Sequence, residues 1–118
     1  MFKVNVTVRN PKREELASPG VPVPVDTGSK LTWIPADVLK NIGITPRRKR
    51  TFTTAPKQVV ERDVGYAILA AEGYETNYEV VFAEPGDMQL LGVRTLEGFG
   101  VAVDNIGHRF IATMTLVA

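Results

Sequence analysis

One tetrapeptide in this 118-residue chain has the makings of a chemical site: Asp26-Thr27-Gly28-Ser29. It follows Val21 to Val25, where valines alternate with Pro22 and Pro24. Gly28 permits a tight turn and close backbone approach, and the hydroxyls of Thr27 and Ser29 can bond locally, so such a turn can hold the Asp26 carboxylate rigidly. Two carboxylates brought together share one proton. One then acts as base toward a water and the other as acid toward a carbonyl oxygen, which is amide hydrolysis without a metal. The bland alternative is an Asp-initiated turn between a strand and a helix.

The second carboxylate does not come from the same chain. Asp37 falls on a predicted helix, Asp63 in a strand, Asp87 in a turn and Asp104 at a strand end, all without a Thr-Gly context. If the mechanism applies, the partner is Asp26 of another copy across a two-fold axis, so the chemistry requires a homodimer. Other chemistries find less support. No cysteine is present, which removes thiolate catalysis, disulfides and cysteine-based metal sites. His108, the only histidine, sits in a predicted turn after Asn105-Ile106-Gly107, where a surface role is expected. Arg47-Arg48-Lys49-Arg50 lacks interleaved aromatic residues and reads as a solvated basic run. Trp33, just past the motif, is either core or the wall of a substrate pocket.

The elements that must position Asp26 are mostly strands. Phe2, Val4, Val6 and Val8 share one face of an extended segment, the period-2 pattern of a half-buried strand. Residues 10–20 read as a surface loop or wide hairpin connection, and the prolines after it suit a sheet edge. A short helix is expected within residues 32–44, with Pro35 in its first turn, Val38, Leu39 and Ile42 as its apolar stripe, and Gly43 at its end. Strands are expected at residues 51–54 and 58–64 around Ala55-Pro56-Lys57, and at 66–71 and 78–82 around Glu72-Gly73-Tyr74. Residues 84–87 form a turn, and a second short helix runs from Thr95 to Phe99 with Gly100 at its end. Strands at residues 101–104 and 109–117 close the chain.

The composition, 44% hydrophobic and 23% charged, suits one globular domain over residues 1–118. A net charge of +1 implies neither a nucleic acid nor an anionic membrane as partner. No apolar run is long enough to span a bilayer, and the alternating start does not read as a signal peptide, so a cytoplasmic protein is expected.

Val23-Pro24-Val25 before the motif, Leu31-Thr32-Trp33-Ile34-Pro35 after it and Leu90-Leu91-Gly92 downstream together resemble the retropepsin-like aspartic peptidases. The resemblance runs from Val4 to Leu116 and is greatest to small prokaryotic single-domain members. It implies a mostly β fold, a small closed antiparallel β-barrel with one or two short helices, working as a homodimeric aspartic endopeptidase on a peptide or protein substrate without metal or cofactor. Asp26 inherits the catalytic role, supported by Thr27, Gly28 and Ser29. Thr27 would link the two loops across the dimer, and Gly28 would meet substrate backbone. Lys30 and Leu31 would border the cleft, and Thr54, Ala55, Pro56 and Lys57 would form the flap over the substrate. Thr32, Leu90, Leu91 and Gly92 would brace the loop. A hydroxyl at Ser29, as in the pepsin pattern, would bond the carboxylate and favour its charged form. Lys30 and Val93 stand where retroviral members carry an acidic residue and an arginine, with Arg94 one place further on. The flap sequence also lacks their tip glycines. These departures motivate a second reading, a retropepsin-fold module that binds extended peptides or a protein partner by strand addition without cleavage. A third is an assembly module joined through its terminal strands.

Overall fold

Alternation in the first strand, β1 (Lys3–Asn10), buries Val4, Val6 and Val8 and leaves Lys3 and Asn5 exposed, so one face is committed to a core. The computed structural model describes residues 2–54 and 57–113. Two further strands flank β1: β2 (Arg13–Ala17) turns back on it, and β3 (Val21–Pro24) pairs with it from Lys3↔Pro24 to Val6↔Val21. The chain then makes the Asp26 turn and enters β4 (Thr32–Pro35), followed directly by helix α1 (Ala36–Asn41). Strands β5 (Arg48–Thr54), β6 (Gln58–Ala71) and β7 (Tyr74–Ala83) form successive antiparallel hairpins. Helix α2 (Val93–Phe99) leads into the separate hairpin of β8 (Val101–Asp104) and β9 (Arg109–Ala112).

The main sheet has seven strands in the order β2-β1-β6-β7-β4, with β3 on β1 and β5 on β6. Its core contains Val6, Val8, Ile34, Leu39, Leu69 and Leu91, all essentially inaccessible to solvent. A smaller cluster of Leu31, Trp33, Val64, Val81, Ala83 and Leu90 lies beneath the β5–β6 hairpin, with Phe52 and Val60 packed against it. Gly43 ends α1 and Gly100 ends α2 with φ of 78° and 74°, left-handed geometry that costs a glycine little.

Several expectations need correction. The strand path is open at β2 and β4, and no sheet closes into a barrel among the described residues. The interior of residues 10–20 is a strand rather than a loop: β2 is an exposed edge on which Leu16 alone packs against the core, too little to show an alternation in the sequence. β4 pairs parallel with β7, from Thr32↔Val80 to Pro35↔Ala83, so the sheet is mixed. Pro35 is the N-cap residue of α1 and ends β4. Gly65 does not interrupt β6; it stays in register opposite Val80, where an added Cβ would lie 3.0 Å from the Thr45 carbonyl oxygen. Ala55, Pro56 and residues 114–117 lie outside the described residues. Among the described residues no helix is long and apolar enough to cross a membrane.

Candidate active site

Both ends of the Asp26 turn are tied to the same two residues. Going in, the Asp26 N–H donates to the Leu91 carbonyl and the Leu91 N–H to the Pro24 carbonyl, each at 2.9 Å. Coming out, Trp33 and Leu90 exchange backbone bonds of 2.9 and 3.1 Å. Leu90-Leu91 thus lies between the two arms of the loop and fixes their separation. Within the turn, the Gly28 N–H donates to Asp26 Oδ1 at 2.9 Å, and the Ser29 N–H to the Asp26 carbonyl at 3.2 Å. A side chain at Gly28 would crowd that carboxylate, since its Cβ would stand 3.2 Å from Oδ1. Thr27 and Gly28 are exposed and Asp26 is half-buried.

The loop is braced from below by α2. Val93 and Arg94 donate their N–H groups to the carbonyls of Ser29 and Lys30 at 2.8 and 2.9 Å, which satisfies donors that a helix N-terminus leaves without intrahelical partners. Thr32 Oγ1 accepts the Gly92 N–H at 2.9 Å and lies 2.6 Å from Thr95 Oγ1. Gly92 has no room for a side chain: an added Cβ would stand 2.6 Å from the Leu31 carbonyl carbon. The Arg94 side chain pairs with Glu97 on its own helix at 3.1 Å, so loop and helix are joined by backbone bonds and buried hydroxyls.

Asp26 opens onto a cavity of about 650 Å³. Leu31, Trp33 and Leu90 from the smaller hydrophobic cluster line it. The β5–β6 hairpin supplies a wall mainly through alternate residues, Arg50, Phe52 and Thr54 on one strand and Gln58, Val60 and Arg62 on the other, with Thr53 beside them at the hairpin end. Gly86, Asp87 and Met88 complete it from the turn after β7. Trp33 and Phe52 meet edge to face, with ring centroids 5.1 Å apart. Trp33 is therefore both core, at 8% exposure, and pocket lining.

Two ion-pair clusters hold the hairpin. Arg62 binds Asp87 through Nε and Nη2 at 2.7 and 2.8 Å, with both side chains largely buried. That bond and the Glu84 N–H hold the Asp87 carboxyl below its ordinary value, against the opposing effect of burial. Arg48 and Arg50 share Glu79, whose side chain is 8% exposed, at 2.9 and 2.6 Å.

The structure brings Asp26, Gly28, Ser29, Lys30, Leu31, Thr54 and Leu90 to one cavity, while Thr32, Leu91 and Gly92 sit behind the loop. Lys57 is exposed at the hairpin turn. The Ser29 hydroxyl donates to the Leu31 carbonyl at 3.0 Å, so in this structure it stabilises the loop and not the carboxylate. His108 is exposed and stacks on Phe2 at 5.5 Å. The sequence reading missed Thr95, Arg50, Arg62, Asp87 and Met88. The alternation of β5 and β6 was a usable signal for the two arginines, whereas Thr95 carried none.

No protein-family model matches the chain, and no curated protein does. Two solved structures of a foamy viral protease-reverse transcriptase are similar. The one in complex with an RNA/DNA hybrid has a TM-score of 0.59 and 17% identity, over 99% of this chain and 13% of that one. The other, in complex with double-stranded DNA, has a TM-score of 0.56 and 20% identity, over 82% of this chain and 15% of that one. The chain thus corresponds to a small part of those longer proteins, and at this identity the likeness concerns the fold alone.

Proposed function

We propose that the chain is one half of a homodimeric aspartic endopeptidase. The observation that carries this reading is the Asp26 carboxylate itself, oriented by the Gly28 N–H, braced through Leu91 and opening onto a cavity large enough for peptide side chains. In the dimer, Asp26 of each copy meets at the two-fold axis. The pair holds one proton: the ionised carboxylate takes a proton from a water as it attacks the peptide carbonyl, and the protonated one donates to the carbonyl oxygen. Proton return to the amine then breaks the carbon–nitrogen bond. Thr27 and Gly28, exposed beside Asp26, contact the other copy and the substrate backbone. The hairpin of β5 and β6 covers the peptide, and water exclusion strengthens the charges at the site.

The test is cleavage of denatured protein or a peptide library across acid to neutral pH by the wild type and Asp26→Asn, with and without a pepstatin-like inhibitor. Inhibitor-sensitive cleavage lost in the variant supports the reading. Equal cleavage by both proteins points to a contaminant, and binding without cleavage favours the non-catalytic peptide-binding module.

A further inference from the structure

The cavity wall formed by β5 and β6 is graded. Its registered pairs are Thr54↔Gln58, Phe52↔Val60 and Arg50↔Arg62, and every one of these side chains lines the cavity. The hairpin face is therefore a ladder with a polar, an apolar and a cationic rung. Two arginines directly opposite each other on a strand pair repel, so this rung is tolerated only because of the carboxylates beside it.

Those carboxylates are unequal. Asp87 gives both oxygens to Arg62, which matches that charge one to one. Glu79 is divided: Arg48 takes Oε2 and Arg50 takes Oε1 through Nη1. Two guanidinium groups on one carboxylate leave a unit of positive charge. Arg50 is the member that lines the cavity; its side chain is 40% exposed and its guanidinium lies 5.6 Å over the Phe52 ring. Lys30 lines the same cavity and has no ion-pair partner among the described residues. Of the two carboxylates that line the cavity, Asp87 is taken by Arg62, which leaves Asp26 against these two cations.

Resting on the peptidase reading, we infer that the cleft selects extended peptides in which an acidic side chain lies two residues from a bulky apolar one. Side chains two apart on an extended chain share a face and stand about 6.8 Å apart, the same repeat as the rungs of the hairpin. An apolar side chain seated on the Trp33–Phe52 pair thus brings the side chain two residues away to the Arg50 rung. A carboxylate there completes the charge that Glu79 leaves uncompensated, through a charge-assisted bond to a guanidinium.

The experiment uses peptides with a fixed apolar core and Glu, Gln or Lys two residues to either side, at about pH 6, where glutamate is ionised. Cleavage by the wild type, Arg50→Gln and Arg50→Glu is measured, together with binding to Asp26→Asn. The wild type is expected to favour Glu over Gln by about fivefold and over Lys by more than about tenfold. The preference should shrink in high salt, collapse in Arg50→Gln and turn toward Lys in Arg50→Glu. The salt dependence of the wild-type ratio reads the same charge if a variant fails to fold. Equal use of Glu and Gln peptides by the wild type, or a preference that survives in Arg50→Gln, overturns the inference. Cleavage without charge preference leaves the peptidase standing alone. Charge-selective binding without cleavage does the reverse, and peptides neither bound nor cut sink both.

Discussion

The hydroxyls of Thr32 and Thr95 lie 2.6 Å apart in the core, both side chains at 0% exposure, and join the strand leaving the Asp26 turn to the helix that braces it. Because Thr32 Oγ1 also accepts the Gly92 N–H, two groups 60 and 63 residues along the chain from it meet at one oxygen. A buried hydroxyl left without a partner incurs its full desolvation cost.

Thr95→Val keeps the shape and removes the hydroxyl, so it should destabilise the fold by about 1–3 kcal/mol. Thr95→Ser should recover most of the loss. Urea unfolding reads both, with an unchanged m-value marking a true change in stability. Wild-type stability in Thr95→Val would remove the pair from this account.

Gly92→Ala tests close approach. The new Cβ would overlap the Leu31 carbonyl group, and that backbone is pinned because the Ser29 and Lys30 carbonyls accept from Val93 and Arg94 and the Leu31 carbonyl accepts from the Ser29 hydroxyl. A loss of about 3 kcal/mol is expected, at the upper end for overpacking, with activity falling as the loop shifts. The melting temperature and the cleavage rate should drop together; a neutral substitution contradicts the packing described.

The Arg62–Asp87 pair sets an acid limit. Arg62 and the Glu84 N–H lower the folded value of Asp87, so the pair contributes stability above the ordinary carboxylate range and loses it as pH falls through the depressed folded value. Asp87→Asn should therefore cost about 1–3 kcal/mol near neutrality. The gap between wild type and variant should close in strong acid. Thermal melts across pH measure that gap, and a pH-independent difference would show that the charge of Asp87 is not what matters.

The Asp26 turn and its partner Leu90-Leu91-Gly92 were legible because Asp, Gly and paired apolar residues are each demanded by local geometry. The first strand, the β5–β6 hairpin and both helices were legible from periodicity, as Phe2, Val4, Val6 and Val8 illustrate. β2 was not, because Arg13, Glu14 and Glu15 are all exposed and only Leu16 packs inward. The continuity of β6 through Gly65 was hidden, since a glycine reads as a break until its neighbour Thr45 is known. Thr95 was invisible for a related reason: its helix stripe also holds Leu96 and Phe99, and nothing local points to Thr32 across the core. The open sheet was unreadable because closure depends on strand pairings that no single segment encodes.

The central claim is that Asp26 is half of an active site, and mixed dimers test it most directly. Wild type and Asp26→Asn are mixed at fixed total chain concentration, allowed to exchange, and assayed for peptide cleavage. If both carboxylates are needed, activity follows the square of the wild-type fraction, and an equal mixture retains about a quarter of the all-wild-type rate. An equal mixture retaining half the rate, or cleavage by a strict monomer, contradicts the account.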